Sequence, residues 1–501
     1  MSALNSLPIL LIVLPVAAAI AILLGAAPKK TALLATAANL LLTLWLVFGY
    51  DQAAAGYQFT SATLLAPEWK LSFALGVDGL SLLLLLLTAL VAFAAVWIAP
   101  RPEKLERYPS LYYACLLFIV AGATGAFASL DLFFFYAFHE LALIPTFLLI
   151  GIWGSGDRIT AAWKITIYLA LGSFVLLIGL LALYLSLPAD VRTFSIPGLQ
   201  ALALQGGVIP QTPWIYLTLL LGFGILISLF PFHTWAPQAY ASAPAPAAML
   251  HAGVLKKFGL YGLLRVALPL MPQAAQHWTN LLLCLLVGNI LYVGLVTIAQ
   301  KRLDTMLGYS SVMHMGYIFL GIAAFNPLGL TGAAMLLFAH GLSIAALFAI
   351  AGVVRERTGS LEFAKLGGLA KPMPFLGFTF GLAAFAAIGL PGFANFASEL
   401  PIFFGAFSHA GKGLAFSNFQ AAGIVALWGV VISAVYMLRG YRAAFMGEAP
   451  KRWAALPDLC GCLRPPILLL LAVLLITGFR PQLLIHLVTP TIKAVLAVPA
   501  P

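Results

Sequence analysis

Apolar stretches long enough to cross about 30 Å of hydrocarbon recur along nearly all of this 501-residue chain, and they leave few architectures open. They fall at residues 6–25, 32–50, 78–99, 109–129, 131–152, 159–186 and 213–240, then at 244–270, 278–300, 305–325, 328–354, 372–407, 420–443 and 465–488. In lipid each such segment must satisfy its own backbone hydrogen bonds. The expected fold class is therefore all-α, a polytopic membrane protein of about 14 transmembrane helices. Composition agrees, since 63% hydrophobic residues and a mean hydropathy of +1.05 lie far outside the range of soluble domains. The first residues, Met1-Ser-Ala-Leu-Asn-Ser-Leu-Pro8, lack a basic n-region, so the first stretch reads as a retained helix and not a cleaved signal.

Charge sets an orientation. With the N-terminus outside, the cytoplasmic loops hold seventeen basic residues, from Lys29 and Lys30 through Arg302 and Arg355 to Arg452 and Arg464. The opposite side holds five, Lys70, Arg192, Lys412, Arg480 and Lys493. The positive-inside rule then places both termini outward, periplasmic in a bacterial inner membrane. The same asymmetry explains the net charge of +11, and no soluble basic domain is present to bind nucleic acid.

Two stretches are longer than one span and carry proline at mid-membrane: Leu229-Phe-Pro231-Phe-His233-Thr-Trp-Ala-Pro237 and Gly389-Leu-Pro391-Gly392-Phe-Ala-Asn395-Phe. Proline removes a helix hydrogen bond and frees carbonyls, so broken helices are expected in the seventh and twelfth spans. Each break lies in the fourth member of a five-helix group, helices 4–8 and 9–13, the pattern of two inverted five-helix repeats. The domain reading is accordingly 1–108 for helices 1–3, 109–270 for the first repeat, 278–443 for the second, and 444–501 for a loop and helix 14.

Charged groups inside such segments cost roughly 2.5 to 3.5 kcal/mol each on insertion scales, which makes every one a functional candidate. Glu140, Lys256, Lys257 and Glu399 sit deepest. Around them run Asp131, His139, Lys164, His233, His251, His314 and His340, an alternation of acid, base and imidazole that suits proton transfer. Plainer readings stand beside these. Asp78 and Asp131 lie near helix starts, where carboxylates cap. Lys164 is within snorkelling reach of the cytoplasmic surface. His139 and His233 equally suit packing against backbone carbonyls. Cys460-Gly-Cys462 in a polar loop lacks further ligands nearby for a metal.

These motifs resemble a known family. Gly76-Val-Asp78-Gly79-Leu-Ser81, Phe135-Tyr-Ala-Phe-His-Glu140-Leu-Ala-Leu-Ile-Pro145, Tyr309-Ser-Ser-Val-Met-His314-Met-Gly, Ala339-His340-Gly-Leu-Ser and Gly389-Leu-Pro-Gly-Phe-Ala-Asn-Phe-Ala-Ser-Glu399 resemble those of the antiporter-like subunits of respiratory complex I, of the subunit M (chain 4) type. Glutamate at Glu399, where the sister subunits L and N and the Mrp-type antiporter subunits usually carry lysine, points to the M type. The resemblance implies a proton-translocating subunit that couples electron transfer from NADH to quinone, performed elsewhere in the assembly, to proton movement. It implies no cofactor in this chain, with NADH, FMN, iron-sulfur clusters and quinone in other subunits, and subunits L and N as neighbours. It also implies roles: Glu140 as the acid that modulates a lysine, Lys257 as the central-axis lysine, His314 and His340 as bridging imidazoles, and Glu399 as the terminal donor.

One departure matters. The family lysine five residues before the proline of the helix-seven motif is Leu226 here, while the eighth span carries an additional His251 and Lys256 beside Lys257. The expectation is that Lys256, with His251, replaces the missing lysine as partner of Glu140. Rival readings are the homologous subunit of a hydrogenase or an Mrp-type cation/proton antiporter, and a spacer that has lost pumping.

Overall fold

The computed structural model describes residues 5–54, 56–409, 416–453 and 455–497. Residues 1–4 and Lys412, on which the signal-peptide and charge readings drew, lie outside them.

Among the described residues, ten helices are long and apolar enough to cross a membrane: Pro28–Gly49, Gly79–Ile98, Pro109–Ala128, Leu132–Trp153, Arg158–Ser186, Pro272–Ile298, Leu303–Ala323, Pro327–Thr358, Asn418–Phe445 and Gly461–Phe479. The first expected span is the shorter helix Leu7–Leu23. The seventh and twelfth are broken, as Pro213–Ile227 with Trp235–Ser242 and as Pro374–Ile388 with Ala394–Phe407. The eighth runs from Ala245 to Leu270 but is interrupted by π turns at His251–Leu255 and Leu263–Ala267. Both breaks end their first half on a residue in the left-handed region, Ser228 at φ 69° and Gly389 at φ 82°.

The tenth and eleventh spans, Leu303–Ala323 and Pro327–Thr358, are buried along almost their whole length and carry His314 and His340 at their centres. The eleventh packs against the third, eighth, tenth, twelfth and fourteenth spans, which makes it the axis of the bundle. The second, fifth, sixth and thirteenth spans bury only one face, and their Leu, Ile, Phe and Trp side chains form an exposed apolar girdle.

Two features differ from the sequence reading. Helix is not continuous over 465–488: it stops at Phe479 and a separate helix follows, Gln482–Leu496. Pro481 is the reason, because it cannot continue the ladder and forces Arg480 to an extended φ of −126°. The second helix crosses over the start of the third span so closely that a Cβ on Gly79 would collide with the Leu487 carbonyl. The stretch between the second and third spans, read as loop, contains an antiparallel hairpin of β1, Gln58–Ala66, and β2, Leu71–Val77. Lys70, at φ 52°, turns it.

Candidate functional site

The eighth span supplies the centre. In its first π turn the Lys256 amide bonds back to the His251 carbonyl at 3.0 Å, and the Ala252 carbonyl accepts from the Lys257 ammonium at 2.8 Å. A π turn thus serves as a seat for a lysine. Lys257, wholly buried, also meets His340 Nδ1 at 2.9 Å. The His340 ring lies 5.6 Å from that of His314, centroid to centroid. His314 in turn has Nδ1 at 2.8 Å from the Ser310 carbonyl and Nε2 at 2.8 Å from the Ala387 carbonyl. Ala387 stands two residues before the second break, where the helix end leaves carbonyls without an amide partner. The break therefore creates the acceptor that orients His314.

Glu399 lies one turn into the helix after that break and is 3% exposed. Its Oε1 has no hydrogen-bonding partner among the described residues, and its Oε2 occupies the space a Cβ would need at Gly389. One turn earlier Asn395 reaches Ser343 Oγ at 3.4 Å, and Ser343 bonds the His340 carbonyl at 3.2 Å. A carboxyl buried this deep in a span is a candidate proton-carrying group.

The first break is closed differently. The Trp235 indole donates to the Ile225 carbonyl at 3.1 Å. Asn289, at a π turn of the ninth span, donates to the carbonyls of Ser228 at 3.2 Å and Val312 at 3.0 Å and accepts from the Phe230 amide at 2.7 Å. Beside it Lys164 donates to Gln238 at 2.9 Å, and Tyr168 and Thr234 pair at 3.2 Å. His233 is buried against the Pro231 carbonyl.

Glu140 stands apart. It is on the flank of the fifth span, 36% exposed, and lines a lateral cavity of about 280 Å³ with Ile144, Phe147 and Leu169. Its Oε1 accepts from Ser173 Oγ and lies 3.5 Å from His139 Nδ1. Leu226, where the family carries lysine, packs on Gly172 next to that serine. Lys256 does not pair with Glu140 in this structure, contrary to the expectation drawn from sequence. Its ammonium reaches the Ser311 carbonyl at 3.4 Å and hydroxyl at 3.5 Å and sits 5.7 Å over the Tyr240 ring. The reason is the π turn, whose extra residue rotates the following side chains by about 100° relative to an uninterrupted helix. His251 joins Lys256 on the same side, 3.3 Å from the Tyr240 hydroxyl.

Sequence reasoning missed two ion-pair clusters built on buried carboxylates, one at each end of the bundle. Arg265, in the second π turn of the eighth span, pairs with Asp78 at 2.5 Å and donates to Tyr57 at 3.1 Å and Tyr261 at 3.2 Å. Asp78 also caps the third span, accepting from the Ser81 amide at 3.0 Å, so the capping reading is half of its role. Asp131 caps as read, accepting from the Phe133 amide at 2.9 Å. At the basic end, buried Asp304 is held by Arg302 at 2.7 Å and Arg355 at 3.0 Å, and Arg355 continues to Ser155 and the Ala241 carbonyl at 2.8 Å each. The signal for Arg265 was available: it is a basic residue within an expected span. Among the described residues, no three His, Cys, Asp or Glu converge on a metal-sized site.

Residues 129–424, more than half of the chain, match the family described as NADH:quinone oxidoreductase/Mrp antiporter, TM. The chain belongs to this family. Its relatives include NAD(P)H-quinone oxidoreductase chain 4-2 of Synechocystis sp., 37% identical over 80% of this chain and 70% of that one. NADH-quinone oxidoreductase subunit M of Rickettsia typhi is 33% identical over 83% and 81%. Among solved structures, a chain of respiratory complex I from Thermus thermophilus with bound NADH superposes with a TM-score of 0.86 at 29% identity, covering 98% of this chain and 99% of that one. A chain of the Mrp complex from Dietzia sp., at 22% identity and a TM-score of 0.82, shares the fold.

Proposed function

We infer that this chain is the antiporter-like subunit M of the membrane arm of a proton-translocating NADH:quinone oxidoreductase. The observation that carries the pumping role is the buried sequence Lys257, His340, His314 ending at the break that houses Glu399. A lysine ammonium at 2.9 Å from an imidazole nitrogen is within proton-transfer reach, and the two imidazoles are within the span of one bridging water. Protons enter from the basic, cytoplasmic end near the first break, where Lys164, His233, His251 and Lys256 are gathered. They leave outward by way of Glu399. Glu140, facing sideways through its cavity, takes the role of sensing the neighbouring subunit, with Ser173 in place of the family lysine.

This reading includes the finer expectations: fourteen spans in two inverted repeats, both termini on the periplasmic side of a bacterial inner membrane, subunits L and N as neighbours, and no redox step in this chain. Leu226 gives the spacer reading its one supporting observation. Glu140→Gln in the reconstituted complex separates the two. It should lose proton pumping yet retain electron transfer in the presence of an uncoupler, whereas an unchanged proton-to-electron ratio would favour the spacer.

A further inference from the structure

Cys460 and Cys462 play no part in this proton path, yet the structure places them with care. The two Sγ atoms are 2.7 Å apart and exposed, about 0.7 Å from disulfide bonding distance. Cys460 precedes a short 3-10 turn, Gly461–Leu463, that leads into the helix Arg464–Phe479. The turn is anchored on both sides: the Trp97 indole donates to the Cys462 carbonyl at 2.9 Å, and Arg464 donates to the Leu459 carbonyl at 3.0 Å. The Asp458 carboxylate, two residues earlier, accepts from the Phe375 amide at 2.8 Å. The charges of Arg101 and Arg357 bear on the pair.

These surroundings divide the labour between the thiols. The hydrogen bond from Cys462, with the Leu463 and Cys462 amides and Arg357, holds Cys460 below the ordinary thiol range. The same bond raises Cys462. Two adjacent exposed thiols in a turn flanked by arginines are an arrangement suited to exchange with disulfides.

We propose that Cys460 and Cys462 form a dithiol modification site whose substrates are low-molecular-weight disulfides. The Cys460 thiolate attacks one sulfur of RS–SR, forming a mixed disulfide and expelling RS⁻, which takes up a proton. Cys462 then loses its proton and attacks Cys460 Sγ, closing the Cys460–Cys462 bond and expelling the second RS⁻. Two thiols are oxidised to one disulfide, and RS–SR is reduced to two RSH. A cation site is the weaker use of this pair, because positive charge already surrounds it.

The test uses native membranes containing the full chain, equilibrated in reduced and oxidised glutathione at stepped ratios, trapped with a maleimide and read by peptide mass. The peptide bearing both cysteines should lose two hydrogens in a single transition in which both thiols vanish together. Cys462→Ser should instead stop at a stable glutathione adduct on Cys460, and Cys460→Ser should leave Cys462 a free thiol. A wild-type peptide that stays reduced at every ratio, or that collects adducts on both cysteines without closing, would overturn the proposal. The outcome does not depend on the pumping role.

Discussion

The two broken helices share a backbone device and differ in what closes it. Each first half ends on a left-handed residue and each leaves carbonyls without a helical amide partner inside the bundle. At the first break the closing groups are an indole and a carboxamide, Trp235 and Asn289, neither of which exchanges protons near neutral pH. At the second they are His314 on the Ala387 carbonyl and the carboxyl of Glu399 behind Gly389. The same defect in a helix is closed mainly by an indole and a carboxamide in one half of the molecule, and is flanked by an imidazole and a carboxyl in the other. Of the titratable groups near the first break, Lys164 donates to Gln238 outside the joint, whereas His233 meets the Pro231 carbonyl within it.

That contrast can be broken experimentally. Glu399→Gln should have the largest effect, an about 100-fold or greater fall in NADH-driven proton uptake by proteoliposomes, the scale of losing a proton-transfer group. Retained uptake would make the second joint as inert as the first. His314→Gln comes next, keeping an amide to donate to the Ala387 carbonyl while removing the titratable ring. Proton uptake should fall while the thermal unfolding midpoint of the complex holds. At the first break the order reverses: Asn289→Ala should cost about 1–3 kcal/mol of stability for the carbonyls left unpaired, read as a lower unfolding midpoint, with the proton-to-electron ratio unchanged. Smallest is Leu226→Lys. It restores a cation near Glu140 and should alter coupling efficiency modestly, read as the ratio of proton uptake to NADH oxidation, without touching either joint.

Much of this was legible before any coordinates. Spans announce themselves because hydrocarbon demands about twenty apolar residues in a row, and the breaks because proline and glycine interrupt Leu229–Pro237 and Gly389–Phe396. Lys257, His314 and His340 stood out as ionisable residues in apolar helices, and the structure brings them together. The direction of Lys256 was not legible. It depends on a π turn, and a π turn is a one-residue change in hydrogen-bond partner that leaves no mark on hydrophobic periodicity. Asn289 was passed over because a single uncharged residue in a span costs little by composition, although the structure makes it the bond between the first break and the tenth span. The hairpin at Gln58–Val77 was hidden by its partly exposed strands, whose alternation is weak.

Gly389 has a bearing on how this site can vary among sequences. Its left-handed backbone already disfavours any side chain, and the Glu399 carboxyl fills the space where one would begin. Mutational drift is therefore closed off on that side of the glutamate. Variation around the carboxyl is left to its other neighbours, to Tyr317, whose hydroxyl is buried without a hydrogen-bonding partner among the described residues, and to Asn395 one turn earlier on the same helix.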